Sequence, residues 1–354
     1  MTRTLAHSLS TICAANNWDF KLSSLYDNSS HLMPQYVRAQ NFEGYNKHKV
    51  RFLLKNIFAA SHPNVVILTH INLAIIGLCI KLLKPKTQVW LIAHGIEVWR
   101  PLRFHKRKLL HMSTRIICVS DHTKRMMHQW HHANPAKCVT LNNALDPFMK
   151  LPVSFNKTDR LMKKYDLTAS NKVLFSLTRL ASTEVYKGHD KVIKAVGRLK
   201  FKFPDIRYIL AGQYDDVEYK RVLKLINDAG VKDHVILTGF IAEDELPDYF
   251  STADLFILPS KKEGFGIVFI EALSCGLPVI CGNADGSVDA IRHGELGTAI
   301  DPEDDIAIEK AIEQQLLNNT TPQYRKRIQQ KCLEYFGEQT YISKLQKMLL
   351  NEPA

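Results

Sequence analysis

The first 150 residues of this 354-residue chain are short of acid. They hold six Asp and Glu against twenty Lys and Arg, while the rest of the chain holds 29 against 27. A cationic excess confined to one half is expected to meet something anionic. The candidates are an anionic membrane surface, a pyrophosphate-linked lipid or nucleic acid, and the plain alternative is a basic, solvated face. Long apolar runs are lacking too. The best candidate, residues 65–83, is interrupted by His70, Asn72 and Lys81, so it reads as a buried strand followed by a helix rather than a membrane span. Residues 1–10 are polar and basic with no apolar core, and no signal peptide is expected. No Cys-x-x-Cys spacing occurs among the seven cysteines, at 13, 79, 118, 138, 275, 281 and 332. That excludes a zinc ribbon or disulfide framework and suits reduced thiols in a cytoplasmic compartment. Internal repeats and low-complexity tracts are absent as well.

What is present is alternation. Apolar runs at 64–70, 88–94 and 116–120 read as buried parallel strands, each followed by a helical stretch. A second series follows at 173–178, 208–212, 235–239, 255–259 and 278–281, with helical patterns at 190–200 and 216–229 between its members. Such alternation means doubly wound α/β sheets. The polar stretch 147–171 separates the two series. The expected organisation is a first domain over 1–150, a second over 151–330, and a terminal helix over 331–354 that packs back on the first domain.

Three strand ends carry chemistry. Residues 259–273, Pro-Ser-Lys-Lys-Glu-Gly-Phe-Gly-Ile-Val-Phe-Ile-Glu-Ala-Leu, read as a strand end, a two-glycine turn and a helix whose first N–H groups suit an anion. Gly264 and Gly266 permit close approach of a ligand to the backbone. Glu263 stands at the mouth of that helix. Glu271 interrupts an apolar run, where a carboxylate is costly unless it is paired or binds something. Arg179 closes the strand at 173–178, and Lys187 is expected to open the next helix. Two cations at the carboxyl edge of such a sheet suit a pyrophosphate. His94-Gly95 ends a third apolar strand, where a histidine serves either structure or catalysis. His128, His131 and His132 have helical spacing but no Cys or carboxylate to complete a metal set.

Taken together, these elements resemble the retaining glycosyltransferases of family 4, with the GT-B fold. The resemblance covers roughly residues 60–320. It rests on Glu263 and Glu271 with seven residues between them, on Arg179 with Lys187, and on His94-Gly95. It is extended by Ser120, Asn143-Ala144-Leu145-Asp146 (with alanine where the family has glycine), Ala211-Gly212, Thr238-Gly239-Phe240 and Gly276-Leu277-Pro278-Val279. The resemblance implies two Rossmann-like domains facing a cleft, the first on the acceptor side and the second binding a nucleotide sugar. Arg179 and Lys187 would neutralise the leaving diphosphate, helped by backbone N–H groups from Gly264, Phe265, Gly266 and Ile267. Glu271 would hold the donor ribose and Glu263 the transferred sugar. Gly212, Phe240 and Ile241 would line the nucleotide site, and His94 would contact the sugar from the other domain.

No metal and no cofactor is expected, the nucleotide sugar being a substrate. The expected partners are that donor, a lipid-linked or oligosaccharide acceptor and an anionic membrane surface, with no nucleic acid. The expected location is cytoplasmic, peripheral on the inner face of the cytoplasmic membrane. One departure stands out: the chain opens on a helix at residues 4–9, and the family's first strand and glycine-rich loop are missing. Three other readings remain. One is a different GT-B enzyme, such as a nucleotide-sugar epimerase. A glycoside hydrolase would use the two carboxylates, though the phosphate-site residues count against it. The last is a basic nucleic-acid module, for which no aromatic-interleaved basic stripe is present.

Overall fold

A computed structural model describes residues 2–59, 63–318 and 320–350. The chain divides into two compact units, residues 1–147 with 336–354 and residues 148–335.

The first unit begins with α1 (Thr2–Ala15), β1 (Leu22–Ser24), β2 (Phe42–Gly44) and α2 (Lys49–Ile57). It continues through β3 (Val65–Leu68), α3 (Ala74–Leu83), β4 (Gln88–Ala93), α4 (Phe104–Met112), β5 (Arg115–Cys118), α5 (Asp121–His131) and β6 (Cys138–Thr140). The stretch at 65–83 is therefore a strand and a separate helix, and no described helix is long and apolar enough to cross a membrane. The sheet is parallel, in the order β3-β4-β5-β6. Its second strand is buried from Val89 to Ala93. Val89, Leu91 and Ala93 join the core formed with α3 and α4, while Trp90, on the opposite face, lies under the Arg115 guanidinium at 4.6 Å. Burial on both faces explains why these strands read as unbroken apolar runs.

β1 and β2 pair only with each other, in a parallel ribbon that matches Leu22 with Phe42 and Ser24 with Gly44. Among the described residues no strand joins this ribbon to β3. The ribbon has its own small core, in which Ala6, Tyr36 and Val37 pack with Phe20, Leu22 and Phe42.

The second unit runs through α6 (Asp159–Lys164), β7 (Lys172–Leu177), α7 (His189–Leu199), β8 (Ile206–Ala211), α8 (Asp216–Asp228) and β9 (Val235–Gly239). It continues with α9 (Leu246–Thr252), β10 (Leu255–Leu258), α10 (Ile267–Ser274), β11 (Val279–Gly282), α11 (Ser287–Ala290), β12 (Thr298–Ile300), α12 (Asp305–Leu317) and α13 (Pro322–Phe336). Its six strands are parallel, in the order β12-β11-β10-β7-β8-β9. Successive residues of β7 serve opposite faces. Leu174 packs with Val192, Val196, Val222, Ile226 and Ile312 of the helices on one side. Phe175 stacks on Tyr249 of α9 and meets Phe256 edge-on, which in turn meets Phe269 of α10. The chain winds outward in both directions from β7 and β10, and that pair marks the point where strand order reverses.

Helix α7 buries Val192, Ile193, Ala195, Val196 and Leu199. It is fastened to α8 through His189 and Glu218, both fully buried, with Nε2 2.6 Å from Oε1. Arg221 donates to the same carboxylate at 2.7 and 2.8 Å. Burial opposes ionisation of Glu218, but the hydrogen bonds from Arg221 and His189 outweigh it and hold the carboxyl at about 2. The last helix, α14 (Glu338–Leu349), belongs to the first unit and packs on α1, where His7 meets Glu338 at 2.9 Å.

Candidate active site

In a sheet of this order, side chains and loops converge beyond the carboxyl ends of the strands at the reversal, here β7 and β10. Arg179 stands just past the end of β7. Its guanidinium is exposed and paired with Glu184. The loop that follows makes one 3-10 turn, Val185–Lys187, and closes on Gly188 at φ +81°. Lys187 therefore precedes the helix it was expected to open, because the left-handed Gly188 breaks the helical run and α7 begins at His189. A Cβ at Gly188 would fall 2.3 Å from the carbonyl oxygen of Pro259. Glycine is what lets the loop after β7 lie against the loop after β10.

The two loops are tied together by charge as well. Lys187 Nζ lies 2.5 Å from Glu263 Oε1, with both side chains largely buried, 14% and 16% exposed. The backbone adds to this, the Lys261 N–H donating to the Tyr186 carbonyl at 3.0 Å. The Tyr186 ring faces two ammonium groups, those of Lys187 at 5.7 Å and Lys262 at 5.3 Å.

A third loop, after β11, holds Glu263 by its main chain. The Glu263 N–H donates to Asp285 Oδ2 at 2.6 Å, and the Gly286 N–H donates to the Glu263 carbonyl at 2.8 Å. A Cβ on Gly286 would meet the Gly264 carbonyl oxygen at 2.1 Å, so these segments lie in van der Waals contact. Asp285 is 1% exposed. Burial lifts its carboxyl to about 6, against the lowering effect of its backbone hydrogen bonds. A carboxyl raised in this way is a liability: ionising it erodes folding stability as the pH climbs from the ordinary Asp value, about 4, through about 6.

Helix α10 starts after Gly266, at φ +79°, and no side chain caps it. Its first turn follows the Glu263-Gly264-Phe265-Gly266 loop directly, and a helix start without a side-chain cap is suited to an anion. Phe265 is 1% exposed, its ring buried. Glu271 lies half-buried in the second turn of α10. Gly212 follows β8. Phe240, beyond β9, is 75% exposed, whereas the Ile241 side chain is buried.

His94 belongs to the other unit, at the end of β4. Its Nε2 lies 2.6 Å from the Thr69 carbonyl, which fixes the ring, and its backbone N–H donates to Glu97 Oε1 at 2.6 Å. His70 lies beside it, ring centroids 6.3 Å apart. The α5 histidines serve structure: buried His131 places Nε2 2.7 Å from the Val98 carbonyl, and His128 Nδ1 is 3.4 Å from that of Ala133.

The second unit thus brings Arg179, Lys187, Glu263 and Gly264–Ile267 to one crevice. Sequence reasoning missed Glu184, Asp285, Glu97 and His70. Asp285-Gly286 had a usable signal, an acid–glycine turn directly after an apolar strand, but nothing in the sequence marks that acid as buried.

Comparison with known proteins bears on this site. Residues 157–332 match the family described as glycosyl transferases group 1. The chain is 32% identical over 160 residues to the GDP-mannose-dependent alpha-(1-6)-phosphatidylinositol monomannoside mannosyltransferase of Mycolicibacterium smegmatis, a match covering 43% of this chain and 40% of that protein. It is 34% identical over 139 residues to the mannosylfructose-phosphate synthase of Agrobacterium fabrum, covering 38% and 30%. The chain thus aligns with well under two thirds of the length of these relatives. Among solved structures, Anabaena Alr3699/HepE in complex with UDP and glucose superposes with a TM-score of 0.79 at 17% identity, over 99% of this chain and 96% of that one. Sucrose-phosphate synthase from Thermosynechococcus elongatus gives 0.75 at 18% identity, over 99% and 92%. The fold is that of the GT-B proteins, with Rossmann-like units and C-terminal helices, as expected.

Replacing Lys187 with Met strands the Glu263 carboxylate in a site where it is mostly shielded from water. Removing one partner of such a pair typically costs about 1–3 kcal/mol. Urea denaturation of Lys187→Met at pH 7 is expected to show a loss of that size. Unchanged stability would mean that the pair contributes nothing to joining the two loops.

Proposed function

We propose, from the match of residues 157–332 to the glycosyl transferases group 1, that the chain belongs to that family and is a retaining, metal-independent hexosyltransferase using a UDP- or GDP-sugar. The observation that carries this reading is the pair of cations, Arg179 and Lys187, beside an uncapped helix start at the reversal of a Rossmann-like sheet. The diphosphate of the donor sits against Lys187, Arg179 and the first N–H groups of α10, which stabilise the charge that develops as the sugar departs. The bond from the anomeric carbon to the phosphate oxygen breaks. An acceptor hydroxyl oxygen bonds to that carbon on the same face, and its proton leaves with the diphosphate. Glu271 holds the ribose, Glu263 the hydroxyls of the transferred sugar, and Phe240 borders the base. The donor names of the relatives, GDP-mannose in one and UDP in a structural neighbour, favour these two nucleotides over others.

The acceptor in this reading is lipid-linked or a saccharide, and the enzyme works at the cytoplasmic face of an anionic membrane. Helix α2 supports the membrane part. Val50, Leu54 and Phe58 recur at four-residue intervals and are 71%, 48% and 67% exposed, while Phe52 and Ile57 turn into the core. Lys47, Lys49, Arg51 and Lys55 flank that stripe around an open hollow of 1380 Å³. An apolar stripe edged with cations suits an anionic leaflet. The second basic stretch, from Arg100 to Lys108, offers less: Leu109 and Leu110 beside it are core residues, and Phe104 alone of its large apolar neighbours is strongly exposed.

A thermal-shift panel of UDP, GDP, ADP and their sugars tests the donor site. At about a hundredfold its dissociation constant, one diphosphate is expected to add about 2.7 kcal/mol of stability. Lys187→Ala is expected to weaken that ligand by the worth of a charge-assisted bond, about 1.5–3 kcal/mol. No stabilisation by any nucleotide would sink the reading. For the membrane part, flotation with vesicles containing phosphatidylglycerol is expected to carry the protein at low salt, and Leu54→Glu with Phe58→Glu to abolish it. Equal, negligible binding to anionic and neutral vesicles would leave a soluble acceptor.

A further inference from the structure

A buried acid has no place in the transfer chemistry just described, yet it holds Glu263, whose carboxylate joins the two loops of the crevice. Asp285 is 1% exposed and lies in the turn after β11. One of its oxygens accepts from the Glu263 N–H at 2.6 Å, and the other accepts from the Ser287 N–H at 2.9 Å. The next residue completes the grip, the Gly286 N–H donating to the Glu263 carbonyl at 2.8 Å. Glu263 is therefore held at both its N–H and its C=O by two consecutive residues of a different loop. A simple turn needs only a cap for Ser287, which Asn or Ser supplies without burying a charge. The second oxygen serves Glu263 alone.

We propose that Asp285 is a positioning residue that sets the Glu263 carboxylate for the transferred sugar, so that it governs recognition of the sugar and leaves recognition of the diphosphate to Lys187, Arg179 and α10. The proposal rests on the donor-site reading above. Its logic is geometric. Anionic Asp285 presents two acceptors to two N–H groups. An amide or a protonated carboxyl presents only one, and turns a donor toward the other N–H. Releasing the Glu263 N–H frees the backbone that aims its side chain, while the cations on the β7 side keep their places. The groups facing Asp285 are the Glu263 carboxylate, the Ser287 hydroxyl and, from the end of β11, the Cys281 thiol, whose own pKa burial and Asp285 both raise. Lys187 reaches it through Glu263.

The test compares two ligands, the nucleotide sugar that stabilises the wild type best and its bare nucleoside diphosphate. By calorimetry, Asp285→Asn is expected to lower affinity for the nucleotide sugar about tenfold, the usual effect of one lost hydrogen bond to a charged group. The diphosphate should change by less than about threefold. Equal weakening of both would make Asp285 a structural residue and overturn the proposal. A wild type that binds neither would instead defeat the donor-site reading itself. A double-mutant cycle adds a second check. Glu263→Gln should cost sugar affinity in the wild type and little in the Asp285→Asn background, whereas additive losses would mean that Asp285 does not act through Glu263. Should Asp285→Asn fail to fold, the wild type still answers. Its affinity for the nucleotide sugar, whose diphosphate diester does not titrate between pH 5 and 7.5, is expected to fall as the pH drops through about 6, where Asp285 takes up its proton, and Glu263→Gln is expected to lack that fall. A wild-type affinity flat from pH 7.5 to 5, or an equal fall in Glu263→Gln, would contradict the proposal.

Discussion

The ion pair between Lys187 and Glu263 is the contact on which the crevice of the second unit depends. It spans the reversal of strand order, joining the loop after β7 to the loop after β10. Neither strand alone makes a site. A parallel strand ends in unpaired backbone groups and a turn, and the chemistry arises where two such ends diverge. Around the pair, Gly188 lets the loops touch, Tyr186 seats the ammonium groups of Lys187 and Lys262, and the β11 turn holds Glu263 by its main chain.

The electrostatics follow from that arrangement. Each of the two cations expected to meet a diphosphate has a carboxylate partner, Lys187 with Glu263 and Arg179 with Glu184. A diphosphate reaching Lys187 competes with a single carboxylate but brings more charge and more acceptor oxygens, so exchange of partners favours it. In the proposed reading the Glu263 side chain released in this way turns to the sugar hydroxyls, while its backbone stays fixed by Asp285 and Gly286. Arg179 is the more exposed of the two cations, and its pairing with Glu184 is correspondingly weaker.

Much of this frame was readable from residues alone. Parallel strands buried on both faces must be apolar throughout, which is why β4, β7, β8, β10 and β11 stood out. Three-residue strands such as β2, β6 and β12 are too short for any period to register, and they went unseen. The candidate site residues stood out where a polar group interrupts an apolar pattern, as Arg179 does at a strand end and Glu271 does within a helix. Lys187 was expected to open α7 but ends the 3-10 turn two residues before it, because a left-handed glycine leaves no trace beyond the letter Gly188. Composition does not tell which way a side chain turns, and the sequence left unmarked that the side chains of Phe265 and Ile241 are buried. Asp285 and Glu184 were hidden for the opposite reason. They sit in polar loops, where an acid is ordinarily solvated, and only packing reveals that one of them is buried.

The split first unit has a physical reading of its own. The β1–β2 ribbon is held by its small core and by Tyr36, whose hydroxyl donates to Asp146 at 2.7 Å and whose pKa is pushed up to about 12 by burial and that carboxylate. The central claim, however, concerns the second unit: a nucleoside diphosphate binds at the β7/β10 reversal. Hydrogen–deuterium exchange with and without saturating UDP or GDP tests it most directly. Protection is expected in peptides covering 178–190 and 259–270, where the cations and the first N–H groups of α10 lie. Saturable binding that leaves those peptides unchanged and protects the α2 region instead would contradict the account.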